Sequence, residues 1–344
     1  MSNRLPSYLH ITDQASSKLN ELINRLNPDK VGLLVDENTK KYCLPKLNNP
    51  YDLLIEIKSG EQEKNLETCD QIWKDLTVSS FTRKSLLVNL GGGVIGDMGG
   101  FAASTFKRGI PFVNVPTTLL SQVDASIGGK LGVDYNGLKN HIGVFRDPDA
   151  VIVDSSFLET LPQKHVISGY AEVAKHALIH DDKHWSHLDA QDLDSLDWKE
   201  IIPKSIAIKQ QVVSEDPFEK GLRKILNFGH TLGHAIESHL LHSATPLLHG
   251  EAIAIGMILE SHISTAQGMT STKDYESIKN HLMVRFNLPT ELPAYETLAP
   301  YLIQDKKNIN ENVSFSLLKR IGECAFDQSA STEQIQNSLE AYAR

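Results

Sequence analysis

The apolar positions of this chain change period about halfway along. The first half carries short, nearly continuous apolar runs separated by glycine, proline, asparagine and charged residues. They lie at Lys30–Asp36, Tyr51–Ile57, Ser85–Leu90, Pro111–Pro116 and Ala150–Asp154. A run of that length, apolar at successive positions, suits a strand buried on both faces, as in a parallel sheet. Between the second and third runs, Glu61 to Leu76 is polar with a helical pattern. Strands alternating with helices predict an α/β domain. After about Ser155 helical periods dominate, until the strand-like run that begins at Val313. The expected organisation is therefore an α/β domain over 1–155 and a mostly α-helical domain over 156–344.

Length agrees with two domains, since 344 residues exceed one ordinary core. The formal net charge of -9 argues against nucleic acid as a partner. It also means that an anionic substrate needs cations gathered locally. The longest apolar stretch, Ala252 to Leu259, is too short to span a bilayer. The segment from Met1 to Pro6 lacks the apolar core of a secretory signal. Three scattered cysteines, Cys43, Cys69 and Cys324, show no CxxC spacing and fit a reducing compartment. A cytoplasmic protein that uses neither membrane nor nucleic acid is expected.

The third strand-like run leads into Gly91-Gly-Gly-Val-Ile-Gly96-Asp97. Gly91, Gly93 and Gly96 match G-x-G-x-x-G between a strand and an apolar helix. In that context backbone N–H groups at a helix N-terminus hold a pyrophosphate, which predicts a Rossmann-like nucleotide site. The acid usually found about 20 residues further on is absent, because that region reads Phe112-Val-Asn114-Val. Asp36, ending an earlier strand, is the better candidate for the ribose.

The richest chemistry lies in Asn227-Phe-Gly-His230-Thr-Leu-Gly-His234-Ala-Ile-Glu237. His230 and His234, four apart, share a helix face. His249 follows in Leu248-His249-Gly250-Glu251, and Glu172 and Lys175 lie three apart on another predicted helix. Imidazoles with a carboxylate suit a divalent ion such as zinc, and three protein ligands with an open position are the catalytic pattern. Cations beside glycines form a third set suited to phosphate and carboxylate groups: Arg108, Lys130, Lys139, Lys209, Arg223, Lys306 and Lys307.

Taken in order, these motifs resemble the 3-dehydroquinate synthase family of sugar phosphate cyclases. The resemblance rests on Gly91–Asp97, Arg108–Phe112, Val115–Lys130, Leu138–Gly143, Tyr170–Lys175, Leu226–Glu237 and His249–Ala252, and covers roughly residues 30 to 325. It implies a lyase that converts 3-deoxy-D-arabino-heptulosonate 7-phosphate to 3-dehydroquinate and phosphate, with NAD and zinc or cobalt as cofactors. It implies a homodimer in which the phosphate-binding arginine crosses to the neighbouring subunit.

Position by position, the resemblance makes Glu172, His230 and His249 the metal ligands. It leaves His234 unligated, near the phosphate and leaving group. Arg108, Lys130, Asn140 and Lys306 or Lys307 would hold the phosphate, and Lys139 would also bind substrate. Lys209 and Arg223 would bind the substrate carboxylate, and Asp124, Lys175 and Asn227 the ring hydroxyls. NAD would meet Asp36, Asn38, Glu61, Lys64, Gly92, Gly93, Val94, Asp97, Thr117, Thr118, Lys130, Lys139, Phe157 and Thr160. Pro217 stands where many members carry an acid, and the spacer from His234 to His249 is slightly long. Two other readings use similar motifs: a cyclase for a different sugar phosphate, and a metal-dependent alcohol or glycerol dehydrogenase.

Overall fold

The computed structural model describes residues 5–342 except 137, 242, 244 and 304–312. The chain forms two compact units, Met1–Val166 and Ile167–Arg344. The division falls in the first turn of a long helix, whereas the change of period in the sequence places it after Ser155.

In the first unit the elements are β1 (Leu9–Ile11), α1 (Ala15–Leu26), β2 (Val31–Asp36), α2 (Glu37–Tyr42), β3 (Leu53–Ile57), α3 (Leu66–Val78), β4 (Leu86–Gly91), α4 (Gly93–Thr105), β5 (Phe112–Pro116), β6 (Lys130–Tyr135), β7 (Leu138–Phe145) and β8 (Ala150–Val153). Six strands form one parallel sheet in the order β1-β8-β5-β4-β2-β3. All five apolar runs of the first half appear in it. Those of β2, β4, β5 and β8 are buried on both faces, whereas the edge strand β3 is only partly covered; one cluster gathers around Leu34, Ile72, Leu87 and Phe112 and another around Leu22, Leu33, Val88 and Ile152.

The order reverses between β2 and β4, so their carboxyl ends border a topological switch point, where doubly wound sheets bind ligands. Asp36 ends β2, and the glycine loop ends β4. The expected helix over Glu61–Leu76 is interrupted. A 3-10 turn, Glu61–Glu63, precedes α3, whose N-cap Asn65 accepts a hydrogen bond from the Thr68 N–H at 2.9 Å. The break lets Lys64 turn inward, where it is 5% exposed. The antiparallel pair β6–β7 had no clear sequence signature, because the residues of β7 are exposed or half-buried along its length.

The second unit contains α5 (Gln163–His180, beginning within the first unit), α6 (Asp182–Asp189), α7 (Trp198–Glu215), α8 (His230–Leu240), α9 (His249–Ala266), α10 (Thr272–Arg285), α11 (Tyr295–Ile303), β9 (Ser314–Arg320), β10 (Glu323–Ser329) and α12 (Thr332–Tyr342). It is mostly helical, with β9 and β10 as one antiparallel hairpin. Helix α9 is its centre: apart from Glu251, every residue from Gly250 to Ser261 is buried. No described helix is long and apolar enough to cross a membrane.

Candidate active site and metal centre

Helices α8 and α9 meet where glycines remove the side chains between them. A Cβ on Gly256 would stand 1.8 Å from the Gly229 carbonyl oxygen, and one on Gly233 would stand 2.8 Å from the Ala252 carbonyl oxygen. Gly229 itself adopts φ 78, a left-handed conformation that sets the sharp entry into α8. At the start of α9, a Cβ on Gly250 would fall 2.0 Å from the Ser168 carbonyl oxygen, and Ser168 Oγ accepts the Gly250 N–H at 3.0 Å. Close backbone approach thus brings His249 on α9 and His230 on α8 toward Glu172 on α5.

The first turn of α8 has no side-chain cap of its own. Its N–H groups are satisfied from α9 instead. The buried Glu260 carboxylate accepts from the N–H of Gly229 at 2.7 Å, Thr231 at 3.0 Å and Leu232 at 3.1 Å. An anion at a helix N-terminus is favoured by both its hydrogen bonds and the helix dipole. Glu260 was not among the sequence candidates. The available signal was an acid closing the apolar run Ala252–Leu259, since a glutamate in so buried a stretch needs partners. Glu260→Gln is expected to lower the urea stability of the metal-free protein by about 2–3 kcal/mol, the scale of charged hydrogen bonds lost in burial. An unchanged unfolding midpoint would contradict this capping role.

Three groups converge below that turn. Oε1 of Glu172, which is fully buried, lies 3.5 Å from His230 Nε2 and 3.5 Å from His249 Nε2. In a tetrahedral site with bonds of about 2.0–2.1 Å, neighbouring donor atoms stand roughly 3.3 Å apart. The donor set therefore fits a zinc or cobalt ion in spacing as well as in chemistry. The His234 ring joins the cluster, with its centroid 5.0 Å from that of His230 and 5.7 Å from that of His249. Donor atoms of the three histidines lie within 4.8 Å of one another. Geometry alone thus offers two triads, one with Glu172 and one with His234.

The outer partners of the two converging imidazoles differ. His230 Nδ1 lies 3.1 Å from the Phe228 carbonyl oxygen, so it donates there and leaves Nε2 with a lone pair. His249 Nδ1 lies 3.5 Å from Glu237 Oε2. Burial opposes a charged His249, but Glu172 and Glu237 outweigh it and raise its pKa to about 9. Lys175, buried beside Glu172 on α5, forms an ion pair with it and balances part of the negative charge.

The loop before α8 presents the remaining cations. Asp216 accepts the N–H groups of Lys220, Gly221 and Arg223 at 3.0, 2.7 and 3.1 Å. Arg223 is 2% exposed, and its Nη1 donates to the Pro217 carbonyl at 2.6 Å. The acceptor that residue 217 gives the arginine is thus its backbone carbonyl, which a proline supplies as well as an acid would. Asn227 Nδ2 donates to Glu219 Oε1 at 2.9 Å. Lys209, on α7, is 5% exposed. Lys306 and Lys307 lie outside the described residues.

The first unit brings a different set together. Lys64 Nζ donates to Asp97 Oδ2 and to Asn140 Oδ1, both at 2.6 Å. Burial lowers the Lys64 pKa, but Asp97, Glu61 and Asp134 more than restore it, so the net shift is upward. The Asp134 N–H in turn donates to the Lys64 carbonyl at 2.8 Å. Lys64 therefore links the first turns of α4 to the β6–β7 hairpin, which carries Lys130, Lys139 and Asn140.

Asp36 caps α2 by accepting the Thr39 N–H at 2.7 Å, and desolvation raises its pKa. Helix α4 begins at Gly93, with Gly92 as N-cap and no side-chain cap. Helix α4 approaches the sheet closely at Gly99, where a Cβ would lie 2.0 Å from Asn89 Oδ1. Thr117 and Thr118 follow β5, and Phe157 and Thr160 lie in the 3-10 turn Ser155–Thr160 after β8. Phe157 is 1% exposed and belongs to the hydrophobic core. Glu61 opens its 3-10 turn after Gly60, which has φ 116. Asp124 lies half-buried in the segment Ser121–Ala125, Asn38 sits in α2, and Val94 in α4. Arg108 is exposed, with φ 68, at the end of the 3-10 turn Phe106–Arg108.

The chain matches the 3-dehydroquinate synthase N-terminal family over residues 54–168 and the 3-dehydroquinate synthase C-terminal family over residues 169–308. It is 39% identical over 345 residues to the 3-dehydroquinate synthase of Parabacteroides distasonis, covering 96% of each chain. Among solved structures it resembles 2-epi-5-epi-valiolone synthase from Streptomyces hygroscopicus with NAD+ and Zn2+ bound, with a TM-score of 0.88, 24% identity and coverage of 99% and 98% of the two chains. It also resembles a 2-deoxy-scyllo-inosose synthase complexed with carbaglucose-6-phosphate, NAD+ and Co2+, with a TM-score of 0.83, 25% identity and coverage of 97% and 96%.

Proposed function

Because the chain belongs to the 3-dehydroquinate synthase family, we propose how its residues divide the work of turning 3-deoxy-D-arabino-heptulosonate 7-phosphate into 3-dehydroquinate and phosphate. The enzyme is a carbon–oxygen lyase. The observation that carries the assignment of roles is the meeting of Glu172, His230 and His249 at 3.5 Å spacings. These three are the proposed ligands of zinc or cobalt, because a buried carboxylate with two imidazoles gives a lower net charge than three imidazoles. When bound, the metal acidifies a substrate hydroxyl, and NAD takes up and later returns a hydride, so that no net oxidation results.

The chain's own residues bind, orient and move protons around that chemistry. His234, beside the ligands but outside the set, stands ready to exchange a proton near the leaving phosphate. Lys175 and Asn227 hold ring hydroxyls, as does Asp124. Lys130, Lys139, Asn140 and Arg108 take the phosphate, with Lys306 or Lys307. Lys209 and Arg223 pair with the substrate carboxylate. In the first unit, backbone N–H groups at Gly92, Gly93 and Val94 would hold the cofactor pyrophosphate, and Asp36 and Asn38 would meet a ribose. Glu61, Lys64, Asp97, Thr117, Thr118, Phe157 and Thr160 complete the NAD surroundings, Phe157 through its backbone because its ring lies in the core. A cytoplasmic homodimer, with Arg108 reaching the neighbouring subunit, agrees with the exposure of that arginine.

Catalytic use of NAD is the expected signature. One bound NAD per site is expected to support many turnovers of phosphate release, with no accumulating nicotinamide absorbance. Release of NADH in proportion to product would transfer the chain to the dehydrogenase reading.

A further inference from the structure

We propose that Glu237 is a positioning residue that orients His249 toward the metal, an inference that rests on the reading of His249 as a ligand. His249 is the first residue of α9, and its side chain remains 28% exposed. A ring at that place has less packing to fix it than His230, whose side chain is 12% exposed and whose Nδ1 meets the Phe228 carbonyl. What stands at the corresponding nitrogen of His249 is a carboxylate. Glu237 Oε2 is 3.5 Å from Nδ1, while Glu172 Oε1 is 3.5 Å from Nε2. The two ring nitrogens point in nearly opposite directions, so Glu237 backs the imidazole and does not share its metal-facing side.

The helix geometry makes this a built arrangement. Glu237 follows His230 by seven residues, two helical turns, and lies on the same face of α8. Its side chain is 7% exposed. Helix α8 therefore carries one ligand and also the group that holds a ligand on α9. A carboxylate at Nδ1 keeps the proton there, leaves the Nε2 lone pair for the metal and increases its basicity. Together Glu172 and Glu237 bring two negative charges to a divalent ion bound by two neutral imidazoles.

The test is titration of the full-length protein, stripped by chelator, with Zn2+ against a chromophoric competitor and with Co2+ in the visible range. Glu237→Gln preserves shape and removes charge. It is expected to weaken Zn2+ affinity by about 10- to 100-fold, the usual effect of losing such a partner. The visible Co2+ band is expected to shift, while NAD affinity and the thermal midpoint of the metal-free protein stay unchanged. Glu237→Asp, which keeps the charge at shorter reach, is expected to recover part of the Co2+ band. In a His249→Ala background, Glu237→Gln is expected to add less than about twofold, since its effect passes through the missing ring. Wild-type affinity and an unshifted band in Glu237→Gln would overturn the proposal, as would an equal loss in the His249→Ala background. Wild-type metal affinity in His249→Ala itself would instead remove His249 from the ligand set and overturn the ligand reading.

Discussion

His249→Ala is expected to lose its metal under conditions that leave the wild type fully loaded, and turnover with it. The loss should exceed about 100-fold in affinity, because removing a direct ligand costs more than removing an outer partner. The reason is geometric: His230 and His249 each stand 3.5 Å from the same Glu172 oxygen, and the substitution removes one of these two imidazoles. His234→Ala gives the matching contrast. Its ring lies in the same cluster, yet the proposed ligand set is complete without it. That variant is expected to retain metal and NAD while turnover falls by roughly 10²–10⁴, the range for a lost acid–base group. Metal analysis with phosphate-release kinetics distinguishes the two. A metal-free His234→Ala protein beside a metal-replete His249→Ala protein would exchange their roles and favour the all-histidine triad.

The second large effect concerns the tail of the substrate. Arg223→Ala is expected to lower kcat/KM for the heptulosonate phosphate by about 2–5 kcal/mol of transition-state binding, roughly thirty- to several-thousand-fold. Arg223 is nearly fully buried, its backbone N–H is held by Asp216, and its Nη1 is held by the Pro217 carbonyl. A guanidinium so fixed pairs with a carboxylate at little further ordering cost, whereas a neutral hydroxymethyl tail gains no charge-assisted hydrogen bond from it. The wild type is therefore expected to discriminate strongly against sedoheptulose 7-phosphate, which carries a hydroxymethyl group in place of the carboxylate. Measuring turnover of both sugar phosphates by both proteins checks this. Equal use of the two by the wild type would point to a cyclase of different specificity.

Much of the local structure that carries the candidate site was legible before folding. The spacing of His230 and His234 requires a shared helix face, and α8 supplies it. The glycine loop after an apolar run requires a strand-to-helix turn, and β4 and α4 form one. Local sequence determines such features because helical and strand periods are properties of neighbouring residues. It was also sufficient for five strands of the parallel sheet, four of which are covered on both faces and so read as continuous apolar runs. The exposed β7 left no such record, and neither did the break at Lys64, where a buried ion pair with Asp97 overrides the helical pattern of Glu61–Leu76.

What the sequence could not contain is the meeting of separate elements. An acid closing the apolar run Ala252–Leu259 needs partners, but which ones appears only when α9 lies against α8 and the Glu260 carboxylate caps three N–H groups. Glu237 stands in the same motif as His230, but its relation to His249 exists only because glycines at 229, 233, 250 and 256 let backbones approach to distances that a Cβ would forbid. The sequence by itself determined the buried strands of the parallel sheet, the helical character of the second half and which side chains of a helix share a face. The tertiary structure alone decided which carboxylate stands behind which imidazole, because that choice depends on packing between residues far apart in the chain.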